Sequence, residues 1–162
     1  MRTGVGYDSH RFDETRPLVL GGVSIPDTPG LKGHSDGDAV AHAITDAVLG
    51  AAGLGDIGAF FPDTDPAYEG ADSIELLASA VCRLREGGFR VVNVDATVIA
   101  ERPRIGPHAE AMRERLGRVL GTGPDGVSVK GKSNEGMGWI GRGEGLAVIA
   151  VATVAGAAGD GD

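Results

Sequence analysis

The residues able to do chemistry are few and clustered. Four histidines occur, His10, His34, His42 and His108, and three of them stand among aspartates and glycines. Asp8 and His10 are two positions apart, so on an extended strand both side chains leave the same face. Asp38, His42 and Asp46 recur every four residues and on a helix form one polar column. Two imidazoles and a carboxylate, with a fourth position open, make the ligand set of a catalytic zinc ion. Asp8, His10 and His42 could supply it, with Asp38 or Asp46 behind His42 to orient its ring. The same spacing suits a plainer arrangement, in which Asp38 complements a helix dipole and His10 is a turn residue beside Arg11.

A second cluster runs Lys130-Gly-Lys132-Ser133-Asn134-Glu135-Gly136-Met-Gly138-Trp139-Ile-Gly141-Arg142-Gly143-Glu144-Gly145. Small residues let backbone N–H groups approach an anion, and Lys132, Ser133 and Arg142 can donate to phosphate oxygens. Glu135 in their midst could hold Mg²⁺, which favours a carboxylate together with phosphate oxygens. A flexible glycine loop between two strands fits the composition equally well, and the spacing of a P-loop is absent. Ala100 to Pro107 leads from a strand into a helix start, a place for an anion or a small pocket, or a mere connector with two solvated arginines. His108 reads as structural. Cys82, the one cysteine, reads as a small buried helix residue, not a nucleophile.

The elements that must position these groups follow from patterning. Residues 2–8 are expected as a strand, and 18–25 as a second strand interrupted at Gly21 and Gly22. Asp36 to about Leu49 predicts a helix, followed by a long loop rich in Gly, Asp and Pro over residues 53–66, of the kind that is often functional. Asp72 and Glu75 open a helix that Gly87 and Gly88 end; Phe89 to Ala100 alternates as a half-buried strand. Pro107 to Leu120 predicts a third helix, and Val127 to Lys130 and Leu146 to Val154 the last strands. The second of these is continuously apolar, as for a strand buried on both faces at a subunit interface. The tail 155–162 is expected to fray. Together these make a mixed α/β domain in two layers.

Composition sets the bounds. The length of 162 residues suits one domain over 1–162. With 41% apolar but only 4% aromatic residues, the core must be built from Ala, Val, Leu and Ile. A formal charge of −8 argues against a nucleic-acid partner or a membrane surface, since both need a basic face. A lone cysteine allows no internal disulfide and no cysteine-based zinc site. The first residues lack the apolar run of a signal peptide, and the nine residues from Leu146 to Val154 fall well short of the ~20 a spanning helix needs, so a cytoplasmic location is expected.

Several segments in register resemble one family, the 2-C-methyl-D-erythritol 2,4-cyclodiphosphate synthases of non-mevalonate isoprenoid biosynthesis. They are Gly4-Val-Gly-Tyr-Asp8-Ser-His10-Arg-Phe12, Gly33-His-Ser-Asp-Gly-Asp38, His42, Asp46, Gly55-Asp-Ile-Gly58, Phe61-Pro-Asp-Thr-Asp-Pro66, Gly70-Ala-Asp-Ser73 and Gly141-Arg-Gly-Glu-Gly145, within a match from about Arg2 to Val154. The resemblance implies closure of 4-diphosphocytidyl-2-C-methyl-D-erythritol 2-phosphate to the cyclic diphosphate with release of CMP, a phosphorus–oxygen lyase reaction. The substrate's 2-phosphate attacks its own β-phosphorus, so no protein nucleophile is required. By resemblance Asp8, His10 and His42 hold Zn²⁺, and Glu135 holds Mg²⁺ or Mn²⁺ between the phosphates. His34 and Ser133 match positions that stabilise the transition state.

Ser35, Asp56, Ile57, Gly58 and Asp63 match contacts to the methylerythritol phosphate; Ala100, Glu101, Arg102, Pro103, Arg104, Ile105, Gly106, Lys132 and Ser133 match the cytidine pocket. Ser9, Phe61, Pro62, Thr64, Asp65, Asn134, Trp139 and Arg142 are further positions on the substrate side. The resemblance further implies an α+β fold, a mixed β-sheet with helices on one face, and a homotrimer with the sheets around its threefold axis. The active sites would lie between subunits, and Arg142 and Glu144 near a central cavity for an isoprenoid diphosphate. Departures are Ser133 for a common Thr, Lys132 for a small polar residue, Trp139 for Phe, Gly106 for a larger apolar residue, and Val5 where His sometimes stands. The competing readings are a zinc phosphohydrolase, in which the same triad activates water, and a catalytically silent trimeric module that binds isoprenoid diphosphates.

Overall fold

Gly21 and Gly22 set the first turn. In the computed structural model, which describes residues 1–156, their φ angles are 58° and 71°. Two successive left-handed residues make the tight turn whose twist matches that of a hairpin. The expected short strand and interrupted second strand are therefore one hairpin, β1 (Arg2–Leu20) and β2 (Val23–Leu31), paired Leu18 to Ile25 and Leu20 to Val23. The glycines that read as an interruption are the place where the chain reverses.

The other long elements fall close to their expected spans, and two short helices arise inside segments expected as loops. They are α1 (Ala39–Ala52), a short α2 (Ile57–Phe60), α3 (Ser73–Glu86), β3 (Phe89–Ile99), α4 (Ala109–Leu120), β4 (Val127–Lys132), a short α5 (Gly138–Gly141) and β5 (Gly145–Gly156). The sheet is mixed, in the order β2-β1-β5-β3-β4, with β3 and β4 parallel and the other pairs antiparallel. Helices α1, α3 and α4 pack on it over a core of aliphatic side chains such as Leu18, Leu20, Leu31, Ile44, Leu77, Leu84, Met112, Leu116 and Leu146.

Two expectations, on the tail and on Cys82, need correction, and the second face of β5 is open within the protomer: Ile149 and Val151 stay 41% and 36% exposed, opposite Tyr7 and Val5, which are more exposed still. Four apolar side chains thus form two cross-strand pairs on the face away from the helices. Ala155 and Gly156 do not fray but pair with Arg90 and Phe89; the rest of the expected tail lies outside the described residues. Cys82 is exposed, because the buried stripe of α3 runs through Ile74, Leu77, Val81 and Leu84 and turns position 82 outward.

Helix α1 approaches β1 so closely that only glycine fits beneath it. A Cβ on Gly6 would stand 1.9 Å from the carbonyl oxygen of Ala43, and one on Gly4 would stand 2.2 Å from that of Ala47. Asp38 fixes the helix start. Its fully buried carboxylate accepts the N–H groups of Val40 and Ala41 at 3.0 Å and those of Gly21 and Gly22 at 2.8 and 2.7 Å. Burial pushes this carboxyl up to about 6, against the backbone donors that favour its charged form. Asp38→Ala strands four N–H groups, and a loss of about 3 kcal/mol or more is expected, read as a lower denaturant midpoint.

Candidate active site

The positions of β1 that face α1 run from Gly4 and Gly6 to Asp8 and His10. Asp8 Oδ2 lies 2.8 Å from His10 Nε2 and 3.1 Å from His42 Nδ1, and the two nitrogens are 3.4 Å apart. Donor atoms held tetrahedrally at ~2.0–2.1 Å from a zinc ion are ~3.3 Å from one another, so this triangle has the size of one coordination face. Among the described residues these three form the one group of histidine and acidic side chains placed to share an ion.

The outer ring nitrogens complete the fit. His10 Nδ1 is 2.7 Å from the carbonyl of Lys32 and donates to it, which leaves the Nε2 lone pair facing Asp8 when the ring is neutral. His42 is turned the other way: Nε2 sits 3.0 Å from Ser35 Oγ and 2.9 Å from Ser73 Oγ, and Nδ1 faces the centre. Burial raises the Asp8 carboxyl, but hydrogen bonds and charge from His10 and His42 outweigh it and hold the group well below the usual carboxylate range. Burial lowers His10, and the bond and charge of Asp8, helped by the Lys32 carbonyl, outweigh that and raise it. Two imidazole nitrogens facing inward and a firmly ionised carboxylate suit a divalent cation.

Asp38 and Asp46 do not orient His42, contrary to expectation. Both lie near its face of the helix, but Asp38 is the N-cap, where free backbone N–H groups claim its carboxylate. Asp46 accepts the N–H of Ile57 at 2.7 Å and so ties the 53–66 loop to α1; burial and the neighbouring Asp56 raise its carboxyl. The groups that do hold His42 are Ser35, Ser73 and, through Ser73, Asp36. Sequence spacing did not find Ser73 or Asp36, because a contact between residues 31 apart, on different elements, leaves no periodicity. Arg16 was missed for the same reason; its guanidinium donates to the carbonyls of Gly33 and Ser35 and braces the turn that carries His34.

A cavity of about 500 Å³ opens beside the triangle, lined by His10, His34, Ser35, His42, Ile57, Gly58, Phe61, Pro62 and Asp63 together with Tyr68 and Leu76, which sequence reasoning did not name. Asp56 caps α2 through Ala59 N, and Asp65 caps the next turn while its carbonyl lies 3.2 Å from His34 Nε2. Thr64 is exposed between them. Ser35 is buried and turns its hydroxyl to His42. A second cavity of about 500 Å³ gathers Ala100, Glu101, Pro103, Arg104, Ile105, Gly106, Lys132 and Ser133. Within the protomer the two cavities share no lining residue.

The glycine-rich loop beside the second cavity is held from below by Glu101. One of its carboxylate oxygens accepts the N–H groups of Asn134 and Gly136 at 3.0 and 3.1 Å. That clamp accompanies a left-handed Glu135 at φ 52°, whose exposed carboxylate receives the Ser133 hydroxyl at 2.8 Å. Asn134 donates through its side chain to the Met137 carbonyl. Arg102 and Arg142 line a separate cleft with Phe12, and Arg142 donates to Glu144 at 2.7 Å. Trp139 joins Ser9 and His10 in another cleft next to the triangle.

Residues 1–155 match the model of the YgbB family. The chain belongs to that family. It is 62% identical over 154 residues to the 2-C-methyl-D-erythritol 2,4-cyclodiphosphate synthase of Gemmatimonas aurantiaca, covering 95% of this chain and 93% of that one. Against the synthase of Symbiobacterium thermophilum identity is 60%, over 96% and 99% of the two chains. A solved synthase with CDP bound superposes with a TM-score of 0.86 at 39% identity, over 95% of this chain and all of that one. The bifunctional IspDF of Campylobacter jejuni gives 0.91 at 46% identity; 94% of this chain matches 42% of that longer protein. As a YgbB member so similar to named synthases over nearly its full length, the chain is a lyase-type enzyme. No helix among the described residues is long and apolar enough to cross a membrane.

Proposed function

We propose that the chain converts 4-diphosphocytidyl-2-C-methyl-D-erythritol 2-phosphate to 2-C-methyl-D-erythritol 2,4-cyclodiphosphate and CMP. The observation that carries this reading is the triangle of Asp8, His10 and His42 beside a cavity lined by His34 and the 57–63 segment. Relatives named 2-C-methyl-D-erythritol 2,4-cyclodiphosphate synthase support this choice of reaction. In the reaction a bond forms between a 2-phosphate oxygen and the β-phosphorus. The bond from that phosphorus to the oxygen bridging to the α-phosphate breaks, and CMP leaves with the electron pair.

Such a transfer needs positioning and charge stabilisation more than covalent help. Asp8, His10 and His42 would hold the zinc ion, which when bound withdraws charge from a phosphate oxygen. His34 faces the same cavity with its Nε2 donating to the Asp65 carbonyl, and in its imidazolium form the Nδ1–H can donate to a phosphate. Bringing the two phosphates of one substrate together exploits effective molarities that reach about 10⁵ M or more in well-oriented intramolecular reactions. Ser133 and Glu135, already hydrogen-bonded to each other, would meet the substrate from the cytidine side, with Glu135 offering its carboxylate to Mg²⁺ or Mn²⁺.

The same reading places the working enzyme in a homotrimer. Two features support it: the exposed apolar pairs of Val5 with Val151 and Tyr7 with Ile149, and the separation of the metal-side and cytidine-side cavities within one protomer. A neighbouring copy packed on that face would cover the first and could unite the second. The test of function is release of CMP from the substrate by the Zn²⁺-loaded protein, its loss on chelation and its return with added Zn²⁺. Intact substrate after incubation with stoichiometrically metallated protein would refute the reading.

Gly106 makes the cytidine side roomier, since a Cβ built there meets nothing within 4 Å. Gly106→Leu fills part of that space with apolar surface. CDP affinity measured by calorimetry is expected to rise about three- to tenfold, a fraction of the ~1.5–3 kcal/mol of full leucine burial.

A further inference from the structure

Ser73 is the first residue of α3 and is fully buried. Its hydroxyl lies 2.9 Å from His42 Nε2 and 3.1 Å from Ser35 Oγ, and it donates to Asp36 Oδ1. The other oxygen of Asp36 accepts the Ser73 N–H at 3.2 Å. An ionised carboxylate only accepts, so the one hydroxyl proton of Ser73 goes to Asp36. The Ser73 oxygen can then only accept from His42. His42 Nε2 must carry a proton, and the Nδ1 lone pair is left for the centre formed with Asp8 and His10.

The two imidazoles are thus held in different ways. His10 is held by a backbone carbonyl, whereas His42 is held wholly by side chains. Helix capping does not account for the Ser73 hydroxyl, because Asp72 already caps α3 by accepting the Ile74 N–H at 2.8 Å, while Asp36 also serves the backbone N–H groups of Ser73 and Asp38. We propose that Ser73 and Asp36 are positioning residues that fix the tautomer and ring orientation of His42 and through it the affinity of the site for its metal. Ser35 shares the load by its own contact to Nε2.

The test measures Zn²⁺ affinity of the metal-free protein by competition with a chromophoric chelator. Ser73→Ala is expected to bind Zn²⁺ about 10- to 100-fold more weakly, as loss of an outer hydrogen-bond partner does in other metal sites. The unfolding midpoint of the metal-free protein should hold, and Ser73→Thr, which keeps the hydroxyl, should restore most of the affinity. Ser79→Ala, on the exposed side of the same helix, should bind as the wild type does. Should Ser73→Ala fail to fold, Asp36→Asn decides: severalfold weaker binding supports the proposal and wild-type affinity overturns it. Wild-type affinity in Ser73→Ala overturns it as well, as does a loss that Thr does not rescue. The proposal rests on the metal reading of Asp8, His10 and His42. Failure of that reading would appear as no stoichiometric Zn²⁺ uptake by the wild-type protein, whereas failure of the present proposal leaves wild-type uptake intact.

Discussion

Replacing His42 by alanine is expected to lower the rate of CMP release by about 10³-fold or more, with loss of stoichiometric Zn²⁺ binding. The magnitude follows from chemistry. A metal that stabilises charge on a transferring phosphoryl group contributes several kcal/mol, and each ~1.4 kcal/mol is a factor of ten in rate. With His42 gone, Asp8 and His10 are two donors 2.8 Å apart on one strand, too few to close a site against water. The fold should survive, because α1 is anchored by Val40, Ile44, Ala47 and Val48, none of which touches solvent. Circular dichroism, CMP release and Zn²⁺ titration on the same preparation separate these effects. A folded His42→Ala protein that binds Zn²⁺ and turns over as the wild type does would remove the triangle from the mechanism.

Gly6→Ala is expected to cost about 3 kcal/mol or more of stability, with loss of the metal site in whatever folded protein remains. The new methyl group would stand 1.9 Å from the Ala43 carbonyl oxygen and 2.8 Å from the Ala47 nitrogen. Both neighbours are backbone atoms of a helix and cannot rotate aside, so α1 would have to lift from the sheet. His42 rides on α1 while Asp8 and His10 stay on β1, so lifting the helix opens the triangle. Gly50→Ala is the matched control. Gly50 is an exposed position in the last turn of the same helix with nothing within 4 Å of a Cβ, and alanine there should stabilise by about 0.5–1 kcal/mol. Denaturant unfolding of the two variants reads both signs. Equal stability of Gly6→Ala and wild type would mean that the close helix–strand approach is not needed.

These two variants also show what in the sequence was legible. Asp8 and His10 on alternate strand positions, and His42 on a helix, follow from spacing, and the structure brings the three together. The helices α3 and α4 and the strand β3 follow from their apolar periods and glycine stops. Legibility ended where the answer depended on which elements meet. The polar column of Asp38, His42 and Asp46 suggested one hydrogen-bonded unit, yet Asp38 serves the hairpin turn and Asp46 the following loop. Ser73, Asp36 and Arg16 act across long separations that no local pattern encodes. Gly4 and Gly6 drew notice as part of a motif; their physical reason, a helix backbone in contact with a strand backbone, emerges only in three dimensions. The continuous apolar run of β5 fills the core with one face and leaves on the other the exposed pairs with Val5 and Tyr7.

Ring closure within one substrate molecule and hydrolysis of that substrate are separated most directly by a ³¹P NMR time course with the cytidyl diphosphate substrate, Zn²⁺ and Mg²⁺. For ring closure at the proposed site, the substrate signals are expected to give way to those of a cyclic diphosphate and CMP in equal amounts. CMP together with an open-chain bisphosphate would contradict it, and would mean that the triangle of Asp8, His10 and His42 delivers water to phosphorus.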